Sequence, residues 1–114
     1  MNRKNPMNIF IVEDNKVFAL ALKADIEMTF MSTPIKIRSF ETGEACMEKF
    51  SQKKPQVVIL DYHLNSQNPD ASDGIKVLDR IKKESPETNV IMLSTEDNID
   101  VALKSFHHGA ADYV

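Results

Sequence analysis

The stretch Val57-Val58-Ile59-Leu60-Asp61 constrains this chain most. Four consecutive apolar residues, three of them β-branched, need burial on both faces, which predicts a central parallel strand rather than one side of an antiparallel sheet. Asp61 then stands where that strand leaves the core, at the carboxyl end where open α/β sheets hold their ligands. A second apolar run, Met7-Asn8-Ile9-Phe10-Ile11-Val12, ends in the same manner on Glu13 and Asp14. If the two strands are neighbours, the three carboxylates share one pocket.

The rest of the chain alternates in period. After Glu13-Asp14, Asn15 can cap a helix in which Val17, Leu20, Ala21, Ala24 and Met28 recur at three- and four-residue spacing, widened by Phe18 and Leu22 and ending near Thr29. Ile35-Lys36-Ile37-Arg38-Ser39-Phe40 alternates apolar and polar residues, which marks an edge strand. Thr42-Gly43 opens a short helix with Ala45, Cys46, Met47 and Phe50 as its apolar positions. Beyond Asp61 a polar stretch runs to Ser72, and so long a loop beside a ligand site points to function. A helix from about Asp73 places Ile75, Leu78 and Ile81 on one face. Asn89-Val90-Ile91-Met92-Leu93 is a further buried strand with Ser94 at its carboxyl end. Asp97 or Asn98 can cap a last helix with Ile99, Ala102, Leu103 and Phe106 in one stripe, closed by Gly109, and Asp112-Tyr113-Val114 begins a fifth strand. Such alternation predicts a parallel sheet with right-handed crossovers and helices on both faces.

At 114 residues the chain suits one domain, 1–114, with residues 1–6 as a loose polar leader. A net charge of −3 without a clustered basic surface gives no reason to expect direct nucleic-acid binding. No apolar run approaches a signal segment or a membrane span, and the lone Cys46 cannot form an intrachain disulfide, so the simplest compartment is the cytoplasm. Cys46 reads as a small core residue. His107-His108 lacks a third ligand at metal spacing and reads as a helix end. In the polar loop, a calcium-binding register with Gly74 in sixth place would put Pro69 first and Arg80 twelfth, and neither can supply the ligand.

Three converging carboxylates repel one another, and burial without a partner neutralises them by raising their pKa values. A hard divalent cation such as Mg²⁺ removes the conflict, because it favours oxygen ligands and keeps positions open for water and phosphate oxygens. Phosphoryl chemistry is then the natural use. An aspartate can itself be the nucleophile and form an acyl phosphate. A hydroxyl such as Ser94, presented by the next strand, could hydrogen-bond a phosphoryl oxygen.

The segments Ile11-Val12-Glu13-Asp14-Asn15, Val58-Ile59-Leu60-Asp61-Tyr62, Asp73-Gly74, Ile91-Met92-Leu93-Ser94, and Gly109-Ala110 followed by Asp112-Tyr113-Val114 occur in one order. In that order they resemble the receiver domains of two-component response regulators, over nearly the whole sequence. The resemblance implies a flavodoxin-like, three-layer, doubly wound parallel sheet with strand order 2-1-3-4-5. It implies that Asp61 is the phosphoacceptor and that Glu13 and Asp14 are the acidic metal pair. His63 would offer Mg²⁺ its backbone carbonyl, Ser94 would be the hydroxyl that senses the phosphoryl group, and Tyr113 the aromatic that switches with it. The implied partners are a histidine kinase or phosphotransfer protein as donor and a downstream output protein or domain.

Three departures from the family pattern accompany the resemblance. The family's Lys after the fifth-strand aromatic and its following helix are not in the sequence, so the chain is expected to be a truncated receiver with an incomplete last strand. An apolar face of the sheet and of the 99–106 helix should then lie uncovered, open to homodimer formation. The third departure is a longer loop between Asp61 and Gly74, with an insertion at about 65–72. Two other functions compete with the switch: an unphosphorylated receiver-like scaffold, and an aspartate-nucleophile phosphatase. The phosphatase wants an acid two residues after the nucleophile, where this chain has His63.

Overall fold

A computed structural model of the chain describes residues 6–64, 73–94 and 99–114. The elements in chain order are β1 (Met7–Val12), α1 (Lys16–Thr29), β2 (Ile35–Phe40), α2 (Gly43–Phe50), β3 (Val57–Asp61), α3 (Gly74–Glu84), β4 (Asn89–Leu93), α4 (Ile99–His107) and β5 (Asp112–Tyr113). The strands form one parallel sheet in the order β2-β1-β3-β4-β5, the flavodoxin-like arrangement. The alternating strand β2 lies at the sheet edge and the continuous apolar run β3 at its centre, because a strand flanked on both sides must be apolar on both faces.

Strand alternation divides the core. Phe10, Val12, Val58, Leu60, Val90 and Met92 face α2 and α3, meeting Cys46, Met47, Phe50, Val77, Leu78 and Ile81 in the larger cluster. Ile9, Ile11, Ile37 and Ile59 face the other way and pack against Ala19, with Leu22 and Ile26 behind it. On that second face Val57, Ile91 and Leu93 are only half-buried. Local signals set the helix starts: Asn15 Oδ1 accepts from the Phe18 N–H at 3.0 Å, Thr42 Oγ1 from Ala45 at 3.1 Å and Asp73 Oδ1 from Lys76 at 2.9 Å. The caps expected at Asp97 or Asn98 lie outside the described residues. Gly109, with φ of 105°, ends α4 in the left-handed region that favours glycine.

Three helix faces differ from expectation. The stripe Val17, Leu20, Ala21, Ala24 and Met28 points to solvent, and α1 instead buries Ala19 with Leu22 and Ile26 half-buried beside it. The short connection from Val12 and the cap at Asn15 set the helix phase, and the small Ala19 lets the helix approach the sheet. In α4 the expected stripe is likewise turned outward: Ile99, Leu103 and Phe106 are exposed while Val101 and Ser105 are buried. Ser105 is accommodated because its Oγ donates back to the Val101 carbonyl at 2.9 Å. In α2, Ala45 is exposed and Gly43 takes a buried place with Cys46, Met47 and Phe50.

Candidate functional site

β1 and β3 are neighbours with Val12 beside Leu60, so both strands deliver their next residues to the same end of the sheet. Glu13, Asp14 and Asp61 meet there, with one carboxylate oxygen of each lying within 4.8 Å of the others. Glu13 is buried, and Asp14 and Asp61 are half-buried. The convergence conditional on strand neighbourhood is therefore present.

Backbone donors orient two of these acids. The Asn15 N–H donates to Glu13 Oε2 at 3.0 Å, and the His63 N–H donates to Asp61 Oδ1 at 3.0 Å. The Glu13 N–H in turn donates to the Phe40 carbonyl at 2.9 Å and the Tyr62 N–H to the Leu93 carbonyl at 2.8 Å, tying both ends to the sheet. Burial pushes the Glu13 carboxyl up to about 7; the Asn15 N–H opposes this, and the neighbouring Asp61 and Asp14 add to it. Burial also raises Asp61, against the His63 N–H, with Asp14 contributing in the same direction. An oxygen-only cluster whose members resist ionisation side by side fits a hard divalent cation, which would restore all three charges.

The N-terminus of α3 packs against the backbone of Asp61 and Tyr62. A Cβ on Gly74 would lie 2.5 Å from the Asp61 carbonyl oxygen and 2.9 Å from Tyr62 Cα, so glycine is required for this approach. The Gly74 N–H donates to the Tyr62 carbonyl at 3.3 Å. Ser94 follows Leu93, the register partner of Asp61, which puts it one residue beyond the site on the adjacent strand. It is half-buried, and its N–H donates to the Val114 carbonyl at 3.0 Å. Tyr113 pairs with Met92 and lies half-buried against the larger cluster. The His63 ring stands edge-on to Tyr62 with centroids 5.0 Å apart.

Sequence reasoning missed the two backbone donors, Asn15 and His63, and the steric role of Gly74. Their signal was position: each lies within two residues of an acid or opens the next helix. It also missed a cavity of about 260 Å³ beside Glu13, walled by Ala19, Leu20, Ser39 and Phe40 and by Lys16 and Glu41, whose side chains pair at 3.5 Å. The loop at 65–72 lies outside the described residues. His108 Nδ1 meets Asp79 Oδ1 at 2.7 Å, in keeping with a helix-end role, and the buried Cys46 thiol is pushed up to about 12 by burial, as an inert core residue would be.

A family model described as the response regulator receiver domain matches residues 9–114. The chain is 30% identical over 77 residues to the nitrogen assimilation regulatory protein NtrX of Azorhizobium caulinodans, covering 68% of this chain and 16% of that protein. The crystal structure of the NtrX receiver domain from Brucella abortus superposes with a TM-score of 0.76 at 29% identity, over 93% of this chain and 82% of that one. The BeF3-activated receiver domain of DrrB from Thermotoga maritima gives 0.80 at 29% identity, over 96% and 84%. With the acidic cluster, the sheet order and these likenesses in agreement, the chain belongs to the receiver domain family of two-component response regulators.

Proposed function

We propose that the chain accepts a phosphoryl group on Asp61 from a histidine kinase or phosphotransfer protein, in a Mg²⁺-dependent reaction, and thereby switches a protein-interaction surface. The observation that carries this reading is the meeting of Glu13, Asp14 and Asp61 at the carboxyl ends of two adjacent strands. Glu13, Asp14, Asp61 and the His63 backbone carbonyl would hold the ion. When bound, Mg²⁺ neutralises the charge that gathers on the transferred phosphoryl oxygens.

The protein's own groups supply the rest. The His63 N–H fixes the rotation of the Asp61 carboxylate and so aims it at the incoming phosphorus. A carboxylate oxygen forms the new bond to phosphorus as the donor's phosphorus–nitrogen bond breaks, and the electron pair leaves with the donor imidazole. The Ser94 hydroxyl then donates to a phosphoryl oxygen. Because the Ser94 N–H is bonded to the Val114 carbonyl, displacement of Ser94 bears on the segment holding Tyr113, the switch aromatic. The readout surface is the exposed apolar face of α4, Ile99, Leu103 and Phe106, offered to a downstream output protein or domain.

The receiver unit in this reading is 1–114, a signalling switch that takes part in its own chemistry rather than a turnover enzyme. Its proposed address is the cytoplasm; among the described residues no helix is long and apolar enough to cross a membrane. The deciding experiment is intact mass after incubation with Mg²⁺ and a small-molecule phosphodonor. A single phosphoryl adduct that disappears in Asp61→Asn is expected. An adduct that survives in the variant overturns the acceptor, and none in the parent leaves the scaffold reading.

A further inference from the structure

Helices α2 and α3 lie side by side over the larger cluster and run in the same direction. Gly43 is pressed against Val77, and Lys54 Nζ, beyond the end of α2, donates to the Glu84 carbonyl at 3.1 Å. Between these points burial raises the Cys46 thiol and the Arg80 charge opposes the rise, so the guanidinium stands at the boundary between the helices. Lys49 and Lys53 follow Cys46 by three and seven residues, on the same side of α2. The Lys53 N–H donates to the Lys49 carbonyl at 3.0 Å, which carries the helical turn that far. On α3, Lys76, Arg80 and Lys83 are spaced four and three residues apart and exposed along one ridge. Two rows of cations therefore flank one cleft, and only the fold brings them together.

The nearby acids do not neutralise it. Among the described residues none of these five cations is ion-paired. Asp79 is turned toward the end of α4, where it meets His108 Nδ1 at 2.7 Å. Glu44 and Glu48, two residues to either side of Cys46, point away from the α3 side of α2. Glu84 borders only the far end, beside Lys54.

Charge and size indicate the occupant. A second copy meeting this face about a two-fold axis would set cation against cation, since an isologous contact pairs a patch with itself. A nucleic acid or an anionic bilayer presents a broad negative surface, and a chain of net charge −3 repels it everywhere but here. The cleft is only as long as the 11 residues of α3, about 16 Å of helix. A short acidic segment laid along it reaches both rows, with Arg80 offering a carboxylate its paired donors.

We propose that the cleft between α2 and α3 docks an acidic segment of a partner protein, held by Lys49 and Lys53 on one wall and by Lys76, Arg80 and Lys83 on the other. The contact uses none of the carboxylates of the acidic cluster, and its test needs neither Mg²⁺ nor a phosphodonor.

The probe is a fluorescent helical peptide, capped at both termini, with glutamate at every third and fourth position. It is titrated with the whole chain and followed by anisotropy. Saturable binding that weakens as salt rises is expected, and the same peptide with glutamine for glutamate should not bind. Arg80→Glu and Lys53→Glu, one on each wall, should each raise the dissociation constant at least about tenfold. Both positions are exposed, so the thermal midpoints should hold, which separates loss of docking from loss of fold. Lys23→Glu makes the same change of charge on α1, across the sheet, and should leave the affinity nearly unchanged. No saturable binding of the glutamate peptide, an affinity indifferent to Arg80→Glu and Lys53→Glu, or an equal loss in Lys23→Glu overturns the proposal. So does tighter binding of a DNA duplex or of phosphatidylglycerol vesicles than of the peptide, which would give the cleft to a nucleic acid or a membrane.

Discussion

Gly74 lies so close to the backbone of Asp61 that a Cβ at position 74 would stand 2.5 Å from the Asp61 carbonyl oxygen. The acid at the end of β3 and the first residue of α3 are thus packed main chain to main chain. Neither side has a flexible end to move. Gly74→Ala must push α3 away from the site or bend the segment from Asp61 to Tyr62, and overpacking of this kind costs about 1–3 kcal/mol. Urea unfolding should show a lowered midpoint at an unchanged slope. An unaffected midpoint would mean that α3 tolerates displacement.

The acidic cluster makes the metal-free protein pH-dependent. Glu13 is raised from 4.5 to about 7 by burial, and Asp61 is raised for the same reason. A raised carboxyl binds its proton more tightly folded than unfolded, so its contribution is fully present below the unfolded value and is lost as pH rises to the folded one. Thermal midpoints in EDTA should therefore fall between about pH 4.5 and 7, and Glu13→Gln should flatten that decline. A parent profile already flat over this window would count against a buried Glu13.

Asp61→Asn removes one of the mutually repelling charges but keeps an oxygen able to accept from the His63 N–H, a bond of 3.0 Å in the parent. Without metal the variant should be at least as stable as the parent. With Mg²⁺ at about one hundred times its dissociation constant, the parent should gain about 2.7 kcal/mol and the variant clearly less. Equal shifts in calorimetry would exclude a shared site at Glu13, Asp14 and Asp61.

Away from the site, Thr88 holds the turn before β4 to the entry of β3. Its buried hydroxyl donates to the Pro55 carbonyl at 3.0 Å and lies 2.8 Å from Ser85 Oγ. Thr88→Val keeps the shape and removes the donor, leaving buried acceptors unpaired at a cost of about 1–3 kcal/mol. Thr88→Ser, which retains the hydroxyl, should recover most of the loss in chemical denaturation.

Much of this architecture is local in origin and could be read from the residues. The apolar runs of β1, β3 and β4 require burial wherever they lie, and the caps Asn15, Thr42 and Asp73 act within three residues of themselves. The inward face of α1 was not legible, because the helix carries two apolar stripes and periodicity weighs only their composition. The richer stripe, Val17 to Met28, faces solvent; the poorer one, around Ala19, faces the sheet. In α4 the buried Ser105 likewise defeats a hydrophobicity count, because its hydroxyl is satisfied by its own helix.

The candidate site divides along the same line. Sequence alone determined that two buried strands end on acids, that a hydroxyl follows a third, and that the elements alternate as a parallel sheet requires. Only the tertiary structure decided that β1 and β3 are adjacent, that Glu13 is the buried member of the cluster, and that Asn15 and His63 turn their N–H groups onto the carboxylates. Sheet order and backbone orientation are properties of the packed whole, since they depend on which strands pair across tens of residues. The chemical character of each residue is local and was in the sequence; the distance between those characters, on which binding and transfer depend, exists only in the fold.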